Sequence, residues 1–171
     1  MTVIGVVSDT HGSVSSLLSV VKAAGKVDGW FHLGDYASDA KKLSEITNRP
    51  VYSVLGNCDS FAFLELTENA FPDPQGMVTS ERVVLVERAR IFLCHGHRYD
   101  VEYNSYMLSY RAEELGCAAA LYGHTHRGEL SCFGKTLILN PGSPSRPRGG
   151  KPSFAIMEVD RGDVNARIIT L

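Results

Sequence analysis

The chain of 171 residues carries 17 Lys+Arg against 19 Asp+Glu, a formal net charge of −2, and is 44% hydrophobic. That length and mixture suit one globular domain over 1–171 with its own core, and exclude a disordered segment or a disulfide-stapled mini-protein. The balanced charge offers no strong nucleic-acid-binding surface, and no apolar run approaches the roughly 18 residues of a membrane span.

The opening MTVIGVVSD lacks the basic segment of a secretory signal, so a cytoplasmic protein is expected. In chain order, Val3–Val7 reads as a buried strand, followed by a helix over Ser13–Ala24 with Val14, Leu17, Leu18 and Val21 on one face. Trp30–Leu33 is the next strand, Ser38–Asn48 a helix ended by Pro50, and Val51–Leu55 a third strand. Phe61, Phe63, Leu64 and Leu66 form an apolar stretch suited either to core packing or to homo-oligomer contact, and 71–76 is a Pro/Gly loop.

Val83–Val86 and Ile91–Cys94 read as a hairpin, Asn104–Leu115 as a helix capped near Gly116, and Ala118–Tyr122 and Thr136–Leu139 as further buried strands. Pro144–Pro152 is a loop, and Ser153–Val159 with Val164–Leu171 closes the chain as a hairpin. The pattern predicts an α/β fold, a single sandwich-like domain with flanking helices. Cys58, Cys94, Cys117 and Cys132 form no C-x-x-C pair and are expected as free thiols, with Cys94, Cys117 and Cys132 buried as small hydrophobes.

Chemistry collects at the strand ends. Five corners carry Asp9-Thr10-His11, Gly34-Asp35, Gly56-Asn57-Cys58-Asp59, His95-Gly96-His97 and Gly123-His124-Thr125-His126, which place five of the six histidines. His32 stands apart inside an apolar run and reads as a hydrogen-bonded core residue. Ligands gather outside the carboxyl ends of strands in α/β sheets. Imidazoles, carboxylates and an amide suit Mn²⁺, Fe²⁺, Zn²⁺ or Ni²⁺. The seven candidates Asp9, His11, Asp35, Asn57, His95, His124 and His126 exceed one tetrahedral site and match two ions sharing a carboxylate. Such a centre, with ions roughly 3.5–4 Å apart, serves phosphoryl displacement and brings the pKa of a bound water toward about 7. A single-zinc hydrolase would leave Asp9, His11 and Asn57 without roles.

These motifs resemble the ordered signature of the calcineurin-like metallophosphoesterase superfamily: D-x-H, G-D, G-N-x-[D/E], a histidine after a strand, and G-H-x-H. HGH, GHTH and Asn140-Pro141-Gly142-Ser143 resemble its compact phosphodiesterase branch. The resemblance implies a metallophosphoesterase-type β-sandwich flanked by helices, a two-metal phosphodiesterase or phosphatase most simply using Mn²⁺, and a small phosphoester substrate. It also implies the partition: Asp9, His11 and His126 on one ion, Asn57, His95 and His124 on the other, Asp35 bridging. Many larger members have His after the Gly-Asn pair, whereas this chain has Cys58, a poor general acid that lines the pocket instead.

The proton for the leaving group then comes from water or from His97, whose other role is to support a neighbouring ligand. Asp59 orients backbone. Asn57, Cys58 and Arg146 are the candidate substrate contacts, and Arg146 and Arg148 are otherwise solvated loop charges. The same branch shares its fold with a retromer sorting subunit, so a non-catalytic metal-binding or protein-interaction scaffold is the alternative function.

Overall fold

Apolar residues of both periodicities arrange the chain into four layers, helix–sheet–sheet–helix. The computed structural model describes residues 1–59 and 79–171, so the apolar stretch Phe61–Leu66 and the 71–76 loop lie outside the described residues. In chain order the elements are β1 (Thr2–Val7), α1 (Val14–Ala24), β2 (Gly29–His32), α2 (Asp39–Thr47) and β3 (Val51–Ser53). Then come β4 (Glu81–Val86), β5 (Ala89–Cys94), a 3-10 turn (His97–Tyr99), α3 (Tyr106–Glu114) and β6 (Ala119–Leu121). The strands β7 (Gly128–Phe133), β8 (Thr136–Pro141), β9 (Ser153–Asp160) and β10 (Asp163–Thr170) complete the fold.

One sheet has the order β10-β9-β1-β2-β3 and the other β4-β5-β6-β8-β7. β1, β2 and β3 run parallel, as do β5, β6 and β8, and antiparallel strands flank each group. Alternation along each strand divides its side chains between two cores. Phe31, Leu33, Ile91, Leu93 and Leu121 meet between the sheets. Trp30, Val7 and Val51 face Leu17, Val20 and Leu43 of the first two helices. Phe92, Ala120 and Ile138 face Leu108 and Ala112 of α3. Strands covered on both faces must be apolar on both, which is why they read as continuous runs.

One expectation, the burial of Cys132, needs correction. β7 was not among the strands expected from the sequence, and its six residues are largely exposed because it is an edge strand. Cys132 lies on it and is exposed, while Cys94 and Cys117 are buried; all four cysteines are free thiols. No helix among the described residues is long and apolar enough to cross a membrane.

Candidate metal centre

The parallel strands of both sheets release their carboxyl ends at one rim. There Asp9 and His11 follow β1, Asp35 follows β2, Asn57 follows β3, His95 follows β5, and His124 and His126 follow β6. The turns are sharp. Asp9, His11, Asp35, His124 and His126 all adopt left-handed backbone, with φ between 47° and 67°. Each such residue costs about 1–2 kcal/mol relative to ordinary backbone, although Asp and His tolerate it better than most. The backbone strain at these corners is offset by the surrounding hydrogen bonds.

Those bonds are specific. Asp9 N–H donates to Gly34 O at 3.1 Å, and Gly123 N–H donates to His95 O at 3.0 Å, so neighbouring corners brace each other. The hydroxyls of Ser143 and Ser145 donate to Asp9 O at 2.8 and 3.0 Å. Asn140 Nδ2 donates to Gly123 O at 2.8 Å. The NPGS element noticed in the sequence thus holds the first and last corners in place. Asp59 accepts from Ala37 N and Gly56 N at 2.9 and 2.8 Å, the backbone-orienting role expected of it. His32 is fully buried and pushed below the ordinary imidazole range by that burial. Its Nδ1 accepts from Gly34 N–H at 3.3 Å, and its Nε2–H donates to Thr10 Oγ1 at 2.9 Å. The Thr10 hydroxyl in turn donates to Asp39 at 2.7 Å.

All seven candidate ligands come together. Asp9, His11, Asp35 and His126 each offer an atom, and these atoms lie within 4.8 Å of one another. His126 Nε2 stands 3.2 Å from Asp9 Oδ1 and 3.3 Å from His11 Nε2. Beside this group, Asn57 Oδ1 lies 3.1 Å from His95 Nε2 and 3.0 Å from His124 Nδ1. Asp35 faces both groups: Oδ1 is 3.3 Å from His95 Nε2, and Oδ2 is 3.9 Å from His11 Nε2.

The tautomers explain why a cation fits here. His95 Nδ1–H donates to Leu33 O at 2.7 Å and His126 Nδ1–H donates to Arg146 O at 2.6 Å, which turns both Nε2 lone pairs inward. His124 Nε2–H points to Glu102 Oε1 at 3.1 Å, which leaves its Nδ1 lone pair for the site. Imidazole, amide and carboxylate donor atoms therefore face one another at the rim, an electron-rich set that suits a cation. Asp9 Oδ1 is buried with no hydrogen-bond donor. Both observations fit divalent metal, and the N/O donor set fits the borderline ions.

Charge in the cluster follows the same geometry. The Asp9 contact holds His126 above the ordinary imidazole range, against burial. Burial opposes the charge on Asp9, yet His126 and His95 keep its carboxyl below the usual carboxylate range. Burial pushes His11 down.

A cavity of about 510 Å³ opens over the cluster, with His11, Asp35, Asn57, Cys58, His124 and Arg146 in its wall. Cys58 N–H donates to Asp35 Oδ1 at 3.0 Å, and burial with the adjacent Asp35 pushes its thiol up to about 11. His97 packs its ring against His95 and His124, at centroid distances of 5.5 and 6.1 Å, and its Nδ1 is buried. Glu102 was missed in the sequence. It sits in the turn before α3, where nothing in the pattern singles out one carboxylate from its neighbours.

Comparison with known proteins agrees with this geometry. The model of the calcineurin-like phosphoesterase superfamily domain matches residues 1–162. A probable metallophosphoesterase of Methanothermobacter thermautotrophicus is 31% identical over 97% of this chain and 91% of its own length. The phosphodiesterase YfcE of Escherichia coli K12 is 34% identical over 72% of this chain and 60% of its own length. A solved structure of a predicted phosphoesterase from Streptococcus pneumoniae superposes with a TM-score of 0.76 at 32% identity, covering 99% of this chain and 89% of that one. The vacuolar protein sorting 29 structure from Cryptosporidium parvum shares the fold at 22% identity and a TM-score of 0.73, covering 99% and 97%. From its motifs, its sandwich and its relatives, this chain belongs to the calcineurin-like phosphoesterase superfamily.

Proposed function

We propose that the chain is a dinuclear-metal-dependent phosphodiesterase. Asp9, His11 and His126 would hold one ion, Asn57, His95 and His124 the other, and Asp35 would serve both. The observation that carries this reading is Asp35 itself, whose two oxygens face two separate groups of inward lone pairs. Mn²⁺ is the ion we favour, and the same donors accept Fe²⁺, Zn²⁺ or Ni²⁺. When bound, such a pair supplies Lewis-acid polarisation of a phosphoryl group and a water of lowered pKa.

The protein's own residues do the rest. The Leu33, Arg146 and Glu102 oxygens fix the imidazole tautomers, so that ligand lone pairs are preset before substrate arrives. Arg146, exposed at the cavity wall, offers a guanidinium fork to the phosphate oxygens. A thiol raised to about 11 stays neutral at physiological pH, so Cys58 lines the pocket without adding negative charge against an anionic ester. The ring contacts of His97 favour support of His95 and His124 over proton donation, which leaves solvent to protonate the departing alkoxide. The four free thiols suit the reducing cytoplasm we propose for it.

The test is metal-dependent turnover. Protein stripped by chelator and reloaded with Mn²⁺ should hydrolyse bis(p-nitrophenyl) phosphate, lose activity on renewed chelation, and recover it on adding metal. No turnover of any phosphoester with Mn²⁺, Fe²⁺, Zn²⁺ or Ni²⁺ would refute the proposal and favour a scaffold on the same fold.

A further inference from the structure

The metal cavity has a neighbour. A second cavity of about 450 Å³ is walled by Glu102, Tyr103, Tyr106, Thr125, Arg127 and Arg148, and it shares Glu102 and Arg148 with the first. The GHTH corner forms the partition: His124 and His126 line the metal side, whereas Thr125 and Arg127 line the other. We propose that this second cavity is a nucleotide subsite, which holds a second phosphate and the planar base of a substrate whose reacting phosphate lies at the metal cluster. The proposal rests on the phosphodiesterase reading above and names the substrate class for it.

Charge carries the first half of the argument. The carboxylates in this cavity are engaged within the protein. Glu102 faces His124 Nε2 at 3.1 Å, and Glu129 accepts the Tyr122 hydroxyl at 2.8 Å. The guanidiniums are not: among the described residues, neither Arg127 nor Arg148 has a side-chain hydrogen bond or carboxylate partner. In a chain of net charge −2, two uncommitted arginines on one cavity wall are a local anion site. Their planar forks match phosphate oxygens in pairs. A singly charged diester with its phosphate at the metals would leave Arg127, which lines the second cavity and not the first, unused.

Aromatic surface carries the second half. Tyr103 is 84% exposed and Tyr106 59%, both on the cavity wall. A base stacked on such rings would gain contact area, and stacking is tolerant of base identity. A second phosphate beside arginines and a planar group beside tyrosines together describe a nucleoside diphosphate moiety. Nucleic acid polymers would need a longer basic track than this charge balance provides.

The experiment is calorimetric titration of the full-length, Mn²⁺-loaded protein with inorganic phosphate and with the α,β-methylene analogue of adenosine diphosphate. The analogue should bind the wild type about tenfold or more tightly than phosphate. Arg127→Ala and Tyr103→Ala, both at exposed positions that leave the core untouched, should each cut that ratio by about fivefold. Equal affinity for the two ligands in the wild type, or a ratio that neither substitution changes, overturns the proposal. If bis(p-nitrophenyl) phosphate is hydrolysed but the ratio is one, the subsite alone falls. If neither hydrolysis nor phosphate binding occurs, the phosphodiesterase reading falls and takes the subsite with it.

Discussion

Glu102 Oε1 lies 3.1 Å from His124 Nε2, on the side of the imidazole opposite the nitrogen that faces Asn57. A carboxylate behind a histidine selects one tautomer and makes the other nitrogen a better donor. Glu102→Ala should therefore weaken the ion assigned to Asn57, His95 and His124 by about 10- to 100-fold in chelator competition, whereas Glu102→Gln, which keeps an acceptor, should recover part of the loss. Unchanged metal affinity in Glu102→Ala would remove the residue from the centre.

Asp35→Ala removes a carboxylate whose two oxygens face the two groups of candidate ligands. Metal analysis of the purified variant should show both ions depleted and turnover lost by at least about a hundredfold. Arg146→Ala, which removes no donor atom, should keep its full metal content. A fully metallated Asp35→Ala protein would contradict the bridging assignment.

Gly123 marks a close approach between corners of the two sheets. A Cβ built there would lie 1.8 Å from Ser8 Oγ and 2.7 Å from Asp9 Oδ2. Gly123→Ala should cost about 1–3 kcal/mol in urea unfolding, because the fully buried Ser8 and Asp9 side chains have to be displaced from their packed positions. A loss within about 0.5 kcal/mol would mean that the corners are looser than described.

Much of this was legible in the sequence because its causes are local. Buried parallel strands must be apolar on both faces, so Val3–Val7 and Ile91–Cys94 declared themselves, and the polar residues that ended each run come together in the candidate site. β7 was not legible, since an exposed edge strand such as GELSCF has no core to impose a period, and Cys132 was misplaced with it. Nor were the left-handed turns at Asp9, His11 and Asp35, which tertiary hydrogen bonds hold in residues other than glycine. Glu102 and Arg127 acquire meaning only when α3 and the GHTH corner meet in space.

The buried His32 gives a pH prediction. Its folded pKa is lowered by burial from 6.5, so below that pH the unfolded chain takes up a proton that the folded chain refuses. Stability must then fall as pH drops below about 6.5, by up to about 1.4 kcal/mol per pH unit for this one group. Urea unfolding of metal-free wild type and His32→Gln between about pH 7.5 and 5.5 isolates it: the variant should show the shallower acid-side decline. Parallel curves would show that His32 contributes none of the slope.

On the proposed reading, two ions joined through Asp35 perform the chemistry. Metal-free protein titrated with Mn²⁺ while bis(p-nitrophenyl) phosphate hydrolysis is followed tests it most directly. Activity should rise to a plateau at about two equivalents per chain. A plateau at one equivalent, or activity indifferent to added metal, would contradict it.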